Sequence, residues 1–241
     1  LKDEFYRTGL FVVGRIPFYW IMPVGTRDTH YRDYIVKLRS VSHFPVDYYV
    51  DLGNVHRIDL NEFFGAALWQ LLKGLRSPFK SVLKMALLDS YAAESKYTPP
   101  LCEQYKHVVL ASSGRQDCDP YLFMIERLRD FYKLHNRPVE QRLIERCFLM
   151  RSFIASGIAL LEDSERMSFF RTLGSSWGWS IKEMEDICSY RRWAPVRTEN
   201  LRKDIVSFLL GAYKQIRSTT RDAGIHMTER DMTVVGRKLV S

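Results

Sequence analysis

Beyond residue 59 the chain repeats apolar side chains every three to four positions, the period of helices lying on a shared core. That spacing predicts helices over residues 61–75, 78–94, 100–110, 120–134, 138–156, 162–174, 181–190, 196–221 and 228–239. Three have clear starts. Asn61 is a capping residue type, and Ser77 and Asp119 each precede a proline at the first helical position. The earlier part reads differently. Residues 3–10 resemble the end of a helix closed near Gly9, and residues 15–24 (R-I-P-F-Y-W-I-M-P-V) form the one good strand candidate, short, aromatic and bounded by Gly14 and Gly25. Pro17 restricts that strand to an edge or a late start. Helical spacing returns over 29–40, with Tyr31, Tyr34, Ile35 and Leu38 on one side, and residues 41–58 carry loop signals. The expected fold class is mainly α, a helical bundle with a small strand-containing N-terminal piece, divided into residues 1–57 and 58–241.

The chain has 241 residues, room for one large or two small domains at about 150 residues each. No run approaches the ~18 apolar residues of a membrane span. Residue 1 is Leu, and Lys2-Asp3-Glu4-Phe5 lacks the apolar centre of a signal peptide, so the expectation is an internal piece of a longer cytoplasmic protein. Cys102, Cys118, Cys147 and Cys188 are too widely spaced for a zinc site or a disulfide framework, and read as free thiols. The formal net charge is +8, and residues 191–241 hold 11 Lys/Arg against 5 Asp/Glu. Such an end faces either solvent or an anionic partner. Few aromatics interleave the charges there (Trp193, Phe208, Tyr213) and no nucleic-acid motif is present, which argues against DNA or RNA.

Helix 61–75 is the most informative segment. Phe64, Ala67, Leu68, Leu71, Leu72 and Leu75 are expected to face a core; opposite them lie Glu62, Gly65, Ala66, Trp69 and Lys73. A tryptophan preceded by small residues and followed by a lysine offers either a stacking plate or a second packing face. The next helix begins Ser77-Pro78-Phe79-Lys80. A cation in a first turn opposes the helix dipole, and no acid follows until Asp89. Lys73, Arg76, Lys80 and Lys84 thus gather around a Ser hydroxyl and the free N–H groups of a helix start, a combination suited to phosphate. A solvated basic face is the alternative.

The twelve residues Glu62-Phe63-Phe64-Gly65-Ala66-Ala67-Leu68-Trp69-Gln70-Leu71-Leu72-Lys73 closely resemble the signature E-Y-F-G-[SA]-[SA]-L-W-x-L-Y-K of the class I (enterobacterial-type) adenylate cyclases. Phe63 and Leu72 depart from it, each lacking a hydroxyl. The resemblance continues through Ser77-Pro78-Phe79-Lys80-Ser81-Val82-Leu83-Lys84, and takes in Asp3-Glu4-Phe5-Tyr6-Arg7-Thr8, His30-Tyr31-Arg32-Asp33-Tyr34, Asp119-Pro120-Tyr121, Arg146-Cys147-Phe148 and Trp177-Gly178-Trp179. It implies an enzyme that converts ATP to cyclic AMP and pyrophosphate, with a catalytic half like the DNA-polymerase-β type of nucleotidyltransferase. There a G-S…D-x-D stretch holds Mg²⁺. That stretch belongs upstream of Asp3 in the family. The expectation is therefore that residues 1–57 complete the catalytic domain, that the chain alone makes no cyclic AMP, and that its partners are ATP and the remainder of its own chain. The substrate-binding candidates are Lys73, Ser77, Lys80 and Lys84 for the phosphates and Trp69 for the base.

Three other patterns carry less. Asp117-Cys118-Asp119 is formally D-x-D, but Pro120 marks a helix cap rather than a strand. His30 and Asp33 share a helix face, where a surface or packing role is commoner than a catalytic one. Ser112-Ser113-Gly114 lacks the glycines of a phosphate loop. Two rival functions stand beside the cyclase: a non-catalytic basic helical module that binds nucleic acid, and a nucleotidyltransferase acting on a macromolecule.

Overall fold

A computed structural model describes residues 15–23, 25–51, 60–94, 101–111, 119–156 and 165–222. The predicted helices at 3–10 and 228–239, the Ser112–Gly114 turn and Asp117-Cys118 lie outside them. The described elements are β1 (Ile16–Pro17), α1 (Phe18–Ile21), α2 (Asp28–Ser40), β2 (Tyr49–Val50), α3 (Leu60–Gly74), α4 (Pro78–Glu94), α5 (Leu101–Ala111), α6 (Pro120–Leu134), α7 (Pro138–Ser156), α8 (Glu165–Ser176), α9 (Ile181–Cys188) and α10 (Pro195–Asp222). They fall into two units. One holds residues 1–59 and 94–127; the other holds residues 60–93 and 128–241.

In the first unit the expected strand over 15–24 is corrected. Only Ile16 and Pro17 are extended, and the chain turns helical at Phe18. Pro17, at φ −60° and ψ 136°, has no N–H to continue a ladder and a fixed φ that leads into a helix start. Its partner strand lies in the stretch expected to be loop: Ile16 pairs with Tyr49 and Pro17 with Val50, in parallel, with α2 in the connection between them. The aromatic run forms a core instead of a strand face. Phe18 stacks on Tyr49 at 5.4 Å and on Phe44 at 6.3 Å, beside buried Met22, Tyr31 and Ile35. Tyr31 and Ile35 were expected there; Tyr34 is exposed. Lys106 of α5 is buried, and its ammonium donates to the carbonyls of Tyr19 (2.7 Å) and Met22 (2.5 Å), satisfying acceptors left open at the end of α1.

In the second unit α10 runs along α3 and also meets α7, while α9 packs on α7 and α8. Its core includes Val82, Met85, Leu128, Phe131, Leu149, Met150, Met184 and Ile216. Two buried carboxylates tie the helices together. Asp89 Oδ2 accepts from the Tyr132 hydroxyl (2.8 Å) and from Arg137 Nη1 (2.7 Å). Glu145 accepts from Arg129 Nε (2.8 Å), Gln141 Nε2 (3.0 Å) and Trp179 Nε1 (2.9 Å). Helix ends follow local chemistry. Asp119 Oδ1 receives the N–H groups of Tyr121 and Leu122, the capping role expected of it, and Ser180 with Glu183 forms a reciprocal capping box. The helix expected over 181–190 ends at Cys188 and gives way to a 3₁₀ turn at Tyr190–Arg192.

Candidate functional site

The signature segment forms α3, but its buried face differs from the expected one. Phe63, Ala67 and Gln70 are buried, whereas Leu68, Leu71 and Leu72 are half-buried and Leu75, at 87% exposure, stands beyond the helix end. In a helix apolar on several sides, the period fixes the spacing of a stripe but not which stripe is deepest. Phe63 meets Tyr91 at 5.7 Å and Phe64 meets Tyr213 at 5.5 Å. The hydroxyl that Phe63 lacks is thus missing from a buried position, where it would have needed a partner. A methyl group at Gly74 would come within 2.9 Å of Leu209 Cδ1, so the end of α3 lies close against α10.

The other face of α3 is open. Trp69 is 37% exposed, and Lys73 Nζ sits 5.1 Å from its ring centroid, a cation–π pair one helical turn apart. Trp69 is therefore a surface tryptophan. The chain then turns: the N–H groups of Arg76 and Ser77 both donate to the Lys73 carbonyl (3.0 and 2.8 Å), and the Ser81 N–H bonds the Ser77 carbonyl (3.0 Å), which opens α4. Lys80 and Lys84 are exposed and one turn apart on α4, and its first turn holds no acid. The structure thus places Lys73 on the last turn of α3 and Lys80 on the first turn of α4, on either side of Leu75-Arg76-Ser77, with Trp69 stacked on the first lysine.

Charge pairing divides the cations of the second unit. Arg129, Arg137, Arg142, Arg197 and Arg202 each have a carboxylate partner. Among the described residues Lys73, Arg76 and Lys80 have none within ion-pair distance. Uncompensated cations beside an open helix N-terminus raise the local potential for an anion.

No three His, Cys, Asp or Glu converge among the described residues. The buried carboxylates Asp89 and Glu145 are both engaged by arginine. The donors at the turn are ammonium, guanidinium and hydroxyl groups, which do not fit a resident metal and do fit the oxygens of a polyphosphate. His30 and Asp33 are both exposed on α2. Burial pushes the Cys102 thiol up to about 11 and raises that of Cys147, so neither is a ready nucleophile.

A family model described as "Adenylate cyclase, class-I, second domain" matches residues 58–241. The chain belongs to the class I adenylate cyclases. Similar curated proteins include the adenylate cyclases of Pasteurella multocida (26% identical), Haemophilus influenzae (27%) and Escherichia coli K12 (26%), each alignment covering 99% of this chain. The chain spans 28–29% of the length of these relatives. No solved structure matches it. Among the described residues, no helix is long and apolar enough to cross a membrane.

The arginines at the start of α7 and along it belong to no site expected from the sequence. Arg137 precedes a helix-starting proline, and Arg142 and Arg146 follow at one-turn spacing, a basic stripe readable in the sequence. Of its partners, Glu145 lies three residues along the same helix from Arg142, whereas Asp89, Glu183 and Trp179 come from other elements and gave no local signal.

Proposed function

We propose that this chain serves, within a class I adenylate cyclase, to hold ATP while the enzyme converts it to cyclic AMP and pyrophosphate. Lys73, Ser77, Lys80 and Lys84 bind the triphosphate and Trp69 offers its exposed face to the adenine. The observation that carries this reading is the group of unpaired cations, Lys73, Arg76 and Lys80, flanking the open first turn of α4. Mg²⁺ accompanies the ATP, with its carboxylate ligands in the strands that precede this region in the family. The first unit, with its parallel β1–β2 pair, joins that catalytic sheet, and the remainder of the chain is the principal partner. The setting is the cytoplasm, where ATP is available.

The test is Lys80→Gln in the complete enzyme. Removing a cation from a first turn relieves an unfavourable dipole interaction of a few tenths of a kcal/mol, so the ligand-free melting temperature is unchanged or slightly higher. Loss of a charged contact to phosphate, about 1.5–3 kcal/mol, lowers turnover by about one to two decades. An earlier-melting variant with normal turnover would show the lysine to be structural and end the phosphate assignment. Trp69→Phe should melt like the wild type and raise the ATP concentration needed for half-maximal rate; unchanged kinetics would remove Trp69 from the site.

A further inference from the structure

A cleft of about 680 Å³ opens between α7 and α10 in the second unit, and it shares no lining residue with the lysine turn. Its size falls within the range of small-molecule sites, and a bare inorganic ion would leave most of it empty. The α7 wall carries Arg137, Arg142 and Arg146; the α10 wall carries Asp204 and Ser207; Leu143 and Phe208, both buried, close the floor. A methyl group added at Gly211 would meet nothing within 4 Å, so the space beside α10 is open.

The arginines are not equivalent. Arg137 is braced by Asp89 and Glu140, and Arg142 by Glu183 (2.8 Å), with its guanidinium 3.4 Å from the Trp179 ring centroid. That indole is itself fixed by its N–H bond to buried Glu145. Arg146 is different. It lies 5.8 Å from the same ring and has no carboxylate partner or hydrogen bond among the described residues. Asp204, on the opposite wall, likewise has no ion-pair partner among the described residues. One guanidinium therefore faces the cleft with all its donors available, beside two that are held in place, and an acceptor waits across from it. Planar guanidinium forks match the oxygens of a phosphate, and prior bracing lowers the entropy lost on binding. Asp204 and Ser207 suit hydroxyl or amino hydrogens.

We propose that the α7–α10 cleft binds a small organic phosphate whose other end carries hydroxyl or amino groups, with Arg146 as the main phosphate contact and Asp204 as the acceptor for the other end. Ribose 5-phosphate is a suitable probe, with ribose, inorganic phosphate and citrate as comparisons, added to the complete enzyme and followed by calorimetric titration and thermal melting. Ribose 5-phosphate should bind and raise the melting temperature, inorganic phosphate should bind more weakly, and ribose and citrate should do neither. Arg146→Gln should melt like the wild type without ligand and bind the probe at least about tenfold more weakly, as expected for loss of one charged contact. Asp204→Asn should weaken ribose 5-phosphate but not inorganic phosphate. Lys80→Gln should leave binding of the probe intact. The proposal is overturned if the wild type binds no ribose 5-phosphate, if citrate binds as well, or if Lys80→Gln rather than Arg146→Gln abolishes the binding, which would put the phosphate at the lysine turn.

Discussion

Glu145→Gln is a one-atom change at the point where α6, α7 and the loop before α9 meet. Glu145 is 1% exposed. One of its oxygens accepts from Arg129 Nε and Gln141 Nε2, at 2.8 and 3.0 Å; the other accepts from the Trp179 indole at 2.9 Å and lies 3.6 Å from Arg142 Nη1. Every neighbour is a donor, so only an ionised carboxylate satisfies all of them. A glutamine has one carbonyl oxygen and one NH₂. Whichever way the amide is turned, its NH₂ meets donors, either Arg129 and Gln141 or Trp179 and Arg142. Arg129 also loses its anion while its guanidinium lies 4.8 Å from the Trp177 ring centroid, on a side chain only 20% exposed. Removing one partner of a buried pair costs about 3–5 kcal/mol. At about 2–4 °C per kcal/mol for a domain of this size, the melting temperature should fall by about 6–20 °C. Calorimetry on the complete protein, with urea unfolding as an independent measure, reads the change. The Trp177 and Trp179 near-ultraviolet signals should alter in the native state as well, because both rings are oriented through this group. A Glu145→Gln protein that melts within about a degree of the wild type would refute the reasoning and mean that water reaches the site and solvates the amide.

Glu183 is held down to about 2 from the ordinary 4.5, first by the backbone N–H of Ser180, then by the Ser180 hydroxyl, with Arg142 adding to the effect. Its folded-state value lies below the unfolded one, so its contribution is present above pH ~4.5 and is lost as the pH falls towards ~2. Glu183→Gln should flatten the melting temperature across that window, and parallel curves for variant and wild type would exclude the capping box as the cause. Gly174→Ala should destabilise, because the new methyl would clash with Sδ of buried Met184; overpacking of about 1–3 kcal/mol outweighs the gain of up to about 1 kcal/mol in helix propensity. Gly65→Ala has open space within 4 Å and should raise the melting temperature, and calorimetry on the two variants checks the opposite signs.

The sequence by itself placed most helices to within a residue or two, because spacing, caps and prolines are local: Asp119 with Pro120 and Ser77 with Pro78 start helices where their chemistry requires it. It also carried the family signature and the row of cations around Ser77, since both are runs of neighbouring residues. Tertiary structure decided the rest. The rotation of α3, which buries Phe63 and Gln70 and leaves Leu75 in solvent, depends on which face α10 covers, and a helix apolar on several sides does not encode that choice. The β1–β2 pair joins residues 33 apart, and with two residues in each strand neither shows an alternation that a sequence pattern could reveal. Glu145 finds Arg129 and Trp179, and Arg146 finds an open cleft, only once distant helices are packed. A charge's partner is set by three-dimensional distance, and so are the sites where charges are left unpaired.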